Sequence, residues 1–213
     1  GSRIVHDSQS SPEPWFNGGV DAHGWDDRYR DAELVWSGEP NTFVARYLTD
    51  FPPGEAVDLG AGEGRNSVWL AKQGWNVTAV DFSAVGLEKA RRMAFDAQVA
   101  LATVVDDVET YHPPMDVDLV LLSYLQIPDD HQWRLLQRVK HWLGPGGVIL
   151  VVAHDKANIE SGHGGPQDPG VCYNVEQTVS ALEGLRIDVA EVMVRDTAEG
   201  PALDTVVLAV RQS

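Results

Sequence analysis

Four aspartates and three glycines set out the chemistry open to this chain. Asp58 precedes the run Gly60-Ala61-Gly62-Glu63-Gly64, Asp81 closes the next apolar stretch, and Asp106-Asp107 closes the one after that. Glycines in a turn let backbone approach a ligand with no Cβ in the way. A helix opening after such a turn offers its first amide N–H groups to an anion. An acid ending the following strand can accept from both hydroxyls of a ribose. The pattern suits a nucleoside cofactor at the open edge of an α/β sheet.

The spacing separates the candidate cofactors. A dinucleotide turn calls for G-x-G-x-x-G, whereas here Arg65 follows Gly64 directly, and no Tyr-x-x-x-Lys pair is present. No Gly-Lys-Ser/Thr ending follows the turn, which excludes a phosphate-binding loop of the NTPase type. The acids instead suit S-adenosylmethionine. Its carboxylate would face the helix that starts at Arg65 and Asn66, and Asp58 would take its ammonium. Gly60, Ala61 and Gly62 would form the cradle. Asp81, with Phe82 and Ser83 behind it, would hold the ribose, Ser83 being the better cap for the next helix. Asp107 would accept from the adenine amino group, and the Val108 N–H would donate to a ring nitrogen.

A second group of polar residues follows two later apolar runs. Ser123-Tyr124-Leu125-Gln126 and His154-Asp155 fall where an acceptor for a transferred methyl group would sit. In-line attack at a sulfonium methyl needs positioning and exclusion of water. It needs a base only when the acceptor holds its proton tightly. Tyr124 and His154 are the catalytic candidates, the latter because imidazole titrates near neutrality; Ser123 falls to the cofactor. Neighbours on a strand face opposite ways, so His154 and Asp155 are not expected to act as a pair. The polar stretch 156–173 reads as an acceptor-binding loop or lid. Its His and Asp residues match no compact ligand spacing, so no metal is expected. Cys172 reads as a packed thiol rather than a nucleophile.

The elements that must carry these residues alternate. Short apolar runs at Ala56–Leu59, Val77–Val80, Ala100–Val105, Val117–Leu122 and Val148–Val152 read as buried strands. Helices are expected at Ser67–Gln73, Ala84 to about Ala97, and Asp129–Leu143. Gly144-Pro145-Gly146-Gly147 reads as a sharp turn. A short helix to Leu182 opens at Asn174 or Thr178. Two β-rich runs follow, Leu185–Val194 and Asp204–Val210, joined by a loop long for a tight hairpin. This order predicts an α/β fold: a doubly wound, mostly parallel seven-stranded sheet with a C-terminal antiparallel strand pair. Residues 1–20 read as a flexible arm and 21–213 as one domain, with 21–50 forming two helices around Gly38-Glu39-Pro40-Asn41. Asn41 or Thr42 would cap the second of them.

Composition narrows the partners. The 213 residues carry 32 acids against 16 Lys plus Arg, a formal net charge of −16. A generic nucleic-acid binder needs the opposite balance. No stretch approaches the ~20 apolar residues that span a bilayer. One cysteine excludes an internal disulfide. A cytoplasmic protein acting on a small-molecule acceptor, without nucleic-acid or membrane partners, is the simple expectation; monomer and homodimer stay open.

Together the Asp58–Gly64 loop, the Asp81 strand end, Asp107-Val108, Val117–Leu122 and Gly144–Gly147 resemble the class I S-adenosylmethionine-dependent methyltransferases, with a Rossmann-like fold. Trp25-Asp26-Asp27-Arg28-Tyr29, Trp36-Ser37-Gly38-Glu39-Pro40-Asn41 and Gly74–Asp81 are nearer to small bacterial methyltransferases of the tellurite-resistance and thiopurine-methyltransferase type. The resemblance implies methyl transfer to a thiol, hydroxyl, amine or chalcogen nucleophile. It also implies N-terminal helices folded over the cofactor, with Tyr29 and Trp36 walling its methionine end and Arg28 meeting its carboxylate. Two alternatives stand beside it: a catalytically silent adenosylmethionine-binding regulator, and an NAD-dependent oxidoreductase.

Overall fold

The structure is a computed structural model that describes residues 38–212. Arg28, Tyr29 and Trp36, and the arm and first cap helix expected before residue 38, lie outside the described residues. The elements run α1 Thr42–Leu48, β1 Glu55–Leu59, α2 Arg65–Lys72, β2 Asn76–Asp81, α3 Ala84–Asp96 and β3 Ala102–Val105. They continue with β4 Val117–Ser123, α4 Asp129–Val139, β5 Leu143–His154, α5 Asn158–Ser161, α6 Val175–Ala181, β6 Arg186–Thr197 and β7 Gly200–Val210.

The sheet has the expected seven strands, in the order β3-β2-β1-β4-β5-β7-β6. The first five are parallel, while β7 runs antiparallel to both β5 and β6. The strand order reverses between β1 and β4. That places a crevice beyond their carboxyl ends, where ligands bind in open α/β sheets.

Side chains alternate across the sheet with the strand period of two. Val57, Leu59, Val120, Leu122, Ile149, Val151 and Val207 face a core that includes Leu135, Leu136 and Val139 of α4 and Ala181 of α6. Ala56, Leu119, Leu121, Val148, Leu150, Val152 and Val206 face the opposite core, with Phe43, Val44 and Leu48 of α1 and Leu70 of α2. Strands covered on both faces explain the uninterrupted apolar runs of β4 and β5.

Two boundaries differ from the reading of the sequence. Helix α4 ends at Val139, not Leu143: Trp142 and Leu143 are buried outside it, and Gly144–Gly147 belongs to β5. Their apolar spacing continues the helical pattern, yet it serves the strand entry, where Val117 N–H donates to Trp142 O at 2.9 Å. The last two strands close as a tight hairpin. Thr197 lies opposite Gly200, whose φ of +133° only glycine adopts readily, so just Ala198 and Glu199 form the turn.

Candidate functional site

The glycine turn leaves β1 at the reversal of strand order. Gly60 has φ +70° and its N–H donates to Val80 O at 2.9 Å, which fastens the turn to β2. Gly64 has φ +79° and begins α2 with no side-chain cap. A Cβ there would lie 2.5 Å from the Cβ of Ala90, so the third glycine serves the close packing of α2 on α3. Arg65, Asn66 and Ser67 make the first turn of α2, where amide N–H groups lack helical partners.

Asp58 lies inside this edge, 2% exposed, and its Oδ2 accepts from Ser67 Oγ at 2.6 Å. Burial raises its pKa to about 6; the Ser67 hydrogen bond opposes that rise and the nearby Asp81 carboxylate adds to it. Asp81 is also buried. Its Oδ2 accepts from Gly62 N–H and its Oδ1 from Ser83 N–H, each at 2.8 Å. Ser83 caps α3, as expected, with its Oγ accepting from Gly86 N–H at 3.0 Å. Asp81 is nonetheless not held in reserve for a ligand alone. Each of its oxygens ties down the backbone. Phe82 lies between them, half-buried.

The Asp107 loop adjoins the same edge, with Asp106 N–H donating to Asp81 O at 3.1 Å. Asp107 is exposed, its Oδ1 accepts from Glu109 N–H at 2.9 Å, and Val108 packs into the core. Arg138 of α4 donates to the carbonyls of Val108 and Glu109.

A second cluster occupies the carboxyl ends of β4 and β5. Tyr124 follows Ser123 with φ +56°, a region a bulky side chain rarely enters. Its hydroxyl donates to Asp204 Oδ2 at 2.6 Å and accepts from Asn41 Nδ2 at 3.0 Å. Burial, then the Asp204 charge, pushes the phenol pKa well above its ordinary value, so it stays protonated. The His154 ring lies 4.9 Å from the Tyr124 ring. Burial lowers the His154 pKa; Asp204 works against that and Arg195 adds to it. Asp204 is fully buried, directly opposite His154 in the β5–β7 register, and receives Arg195 Nε at 2.7 Å. Arg65 and Arg195 sit 6.0 and 5.3 Å from the Tyr124 ring centre. Asn41 joins both halves: it caps α1, and its N–H donates to Asn66 Oδ1 at 2.9 Å.

Asp204 and Arg195 were not among the residues singled out from sequence, and Asn41 was expected only as a helix cap, which it is. The β5–β7 pairing that sets Asp204 against His154 has no local signature, and Arg195 joins them only diagonally. His154 and Asp155 do point apart. Asp155 Oδ2 accepts from Thr205 Oγ1 at 2.6 Å. Tyr173 N–H donates to His154 O and Lys156 N–H to Tyr173 O, so the 156–173 segment starts and ends at the same point. Asn158 clamps it by accepting from Leu203 N–H and donating to Gly164 O. A Cβ on Gly165 would lie 2.8 Å from the His154 ring. Cys172 is buried, which pushes its thiol pKa up to about 11. Among the described residues, no group of three or more His, Cys, Asp or Glu side chains could hold a metal ion.

Buried polar atoms without hydrogen-bond partners gather at this edge. They include Ser123 Oγ, Gln126 Oε1 and His154 Nδ1. Unsatisfied buried groups are rare in folded proteins.

Comparison with known proteins points the same way. Residues 56–147 match the family of methyltransferase domains. Over 113 residues the chain is 34% identical to the ribosomal RNA small subunit methyltransferase C of Alcanivorax borkumensis, a match covering 48% of this chain and 33% of that protein. The chain spans a third or less of the length of the curated relatives it matches. The N-methyltransferase NodS of Bradyrhizobium japonicum, solved with S-adenosyl-L-homocysteine, is similar in structure with a TM-score of 0.72 at 12% identity, covering 91% of this chain and 100% of that one. TehB of Haemophilus influenzae has a TM-score of 0.70 at 14% identity, covering 90% and 67%. No helix among the described residues is long and apolar enough to cross a membrane.

Proposed function

We propose that this chain, a class I S-adenosylmethionine-dependent methyltransferase by its domain and fold, transfers a methyl group to a small molecule held between β4, β5 and the 156–173 segment. One observation carries the reading. Asp58 and Asp81 are both buried behind the glycine turn, where the Asp81 carboxylate adds to the rise of the Asp58 pKa and Arg65 opposes it. A cationic group such as the ammonium of S-adenosylmethionine suits a pair of acids so placed. The pyrophosphate of a dinucleotide would be repelled by it.

The residues present fit the cofactor. Asp58 answers its ammonium and the first turn of α2 its carboxylate. Asp81 at the end of β2 answers the ribose hydroxyls, and the Asp107-Val108 loop the adenine. When bound, the cofactor supplies an electrophilic methyl on a sulfonium. The protein supplies position: Tyr124 and His154 face each other across the acceptor side, stacked beneath Gly165, and little water reaches them.

The net charge of −16 favours a small acceptor over a polyanion such as RNA. The anchored 156–173 segment supports it too, since its Gly165 packs against the His154 ring. Titration calorimetry with S-adenosylmethionine, its demethylated product and NAD tests the cofactor. Binding of the two adenosyl ligands alone, weakened at least tenfold by Asp81→Ala, is the expected result. NAD binding in preference would refute the reading, as would an Asp81→Ala variant that is folded and binds equally well.

A further inference from the structure

Two features of the acceptor side call for an explanation that methyl transfer alone does not supply. Asp204 is a wholly buried carboxylate on a strand far from the cofactor turn. His154 Nδ1 is a buried nitrogen with no hydrogen-bond partner, and Asp204 Oδ1 lies 3.4 Å from it.

The surroundings of Asp204 are built to hold it as an anion. Tyr124 Oη donates at 2.6 Å and Arg195 Nε at 2.7 Å, both to Oδ2, while Arg195 Nη2 reaches Oδ1 at only 3.5 Å. Oδ1 is therefore the less engaged oxygen, and it is the one turned to His154. The ring is fixed on both sides, by the Tyr124 ring 4.9 Å away and by Gly165, whose φ of +76° and lack of a Cβ let the loop press against it. It cannot swing to another partner. The charged and titratable groups facing it are Asp204 on β7, Arg195 on β6 and Tyr124 after β4, with Arg65 of α2 beyond Tyr124. A carboxylate oxygen beside Nδ1 accepts only from N–H, so the neutral ring must carry its proton on Nδ1 to avoid two opposed lone pairs. The separation is long for a hydrogen bond, as apo catalytic contacts often are, and it tightens when the ring gains charge.

We propose that Asp204 is a positioning residue that holds neutral His154 as the Nδ1–H tautomer, leaving Nε2 to accept the proton of a hydroxyl or amine acceptor. The inference rests on the methyl-transfer reading and deepens it by naming the acceptor class. A new bond forms between the acceptor heteroatom and the methyl carbon as the carbon–sulfur bond breaks. The sulfur keeps that electron pair and becomes a neutral thioether. The acceptor's proton passes to Nε2, and the imidazolium so formed is stabilised by Asp204. An acceptor that arrives already deprotonated, such as a thiolate, would have no use for this arrangement.

The test is a long-range proton–nitrogen NMR spectrum of the histidine rings, with His154 assigned from the spectrum of His154→Gln. Above neutral pH the wild type is expected to show Nδ1–H over Nε2–H by about tenfold or more. Asp204→Asn should reduce that preference by about tenfold, the loss typical of removing the partner that orients a histidine ring. S-adenosylmethionine binding, measured by calorimetry on the same samples, should change less than twofold. A wild-type ring with its proton mainly on Nε2 overturns the inference, and that spectrum needs no variant to fold. An unchanged tautomer ratio in folded Asp204→Asn overturns it equally. If the wild type shows the Nδ1–H form but no adenosyl ligand binds, the methyl-transfer reading fails and the tautomer assignment stands.

Discussion

Asp58→Asn should gain stability on the wild type as pH rises towards neutrality, while making the protein a worse cofactor binder. In the folded chain, burial lifts the Asp58 pKa from 3.8 to about 6. Folding then takes up protons across that window, because the native state binds more of them than the unfolded chain. Stability therefore falls as pH rises from about 4 to about 6, and the penalty is complete above that. Two units at about 1.4 kcal/mol each give about 3 kcal/mol in total. About 1.4 kcal/mol of it appears between about pH 5 and about pH 8, since part of the titration lies below pH 5. The asparagine keeps an oxygen for Ser67 but brings an amide N–H that finds no partner there, which costs about 1–3 kcal/mol at every pH. The absolute stability of the variant is thus set by two opposing effects, but its pH dependence is not. Urea denaturation of both proteins at about pH 5 and about pH 8 gives the decisive quantity, the change in their difference. Asp58→Asn should gain about 1.4 kcal/mol on the wild type over that interval. A change near zero, or of opposite sign, would refute the assignment of Asp58 as a carboxylate whose pKa burial raises. On the proposed reading the ammonium of S-adenosylmethionine pairs with ionised Asp58, so its affinity for the wild type should fall about tenfold per pH unit below about pH 6.

Three further outcomes follow from the geometry. Gly64→Ala forces a Cβ to 2.5 Å from Ala90 at a φ of +79°, and should destabilise the fold by about 2 kcal/mol or more, read as a lowered denaturant midpoint with unchanged slope. Arg195→Met leaves the buried Asp204 with Tyr124 but no cation, and should cost about 3 kcal/mol; a midpoint within error of the wild type would show that the pair is dispensable. Gly165→Ala drives the 156–173 segment off the His154 ring. It should shift the His154 ring resonances while S-adenosylmethionine affinity, measured by calorimetry, stays within about twofold.

The edge of the sheet that carries the proposed cofactor residues was legible in the sequence because it is written locally. Each strand ends in its own turn, and the residues that matter follow it directly: Gly60–Gly64 after β1, Asp81–Ser83 after β2, Asp107 after β3. Parallel strands with both faces covered also announce themselves as apolar runs, so the sheet could be counted. The failures came where a pattern had two readings. Trp142 and Leu143 extend the apolar spacing of α4 yet serve the entry to β5. The turn at Ala198-Glu199 was hidden inside a polar stretch that looked too long for a hairpin. Asp81 also accepts from the backbone N–H groups of Gly62 and Ser83, a second role its position in the sequence does not announce.

The acceptor half was legible only in part, for a physical reason. Tyr124 and His154 end strands β4 and β5 and could be picked out one by one. What gives them chemical meaning is Asp204, 50 residues beyond His154 and brought beside it by the antiparallel return of β7. Pairing across strands depends on register, and register is decided by which face of β7 is buried rather than by any residue near Asp204. The two halves also differ electrostatically. Behind the glycine turn, the Asp81 carboxylate adds to the rise of the Asp58 pKa that burial causes. At the acceptor end, Arg65, Arg195 and Asp204 surround a tyrosine held protonated and a histidine held neutral. On the proposed reading the sulfonium loses its charge as its methyl group leaves, and the acceptor's proton passes to His154 in the second half. That division is what alkylation of a neutral hydroxyl or amine would require.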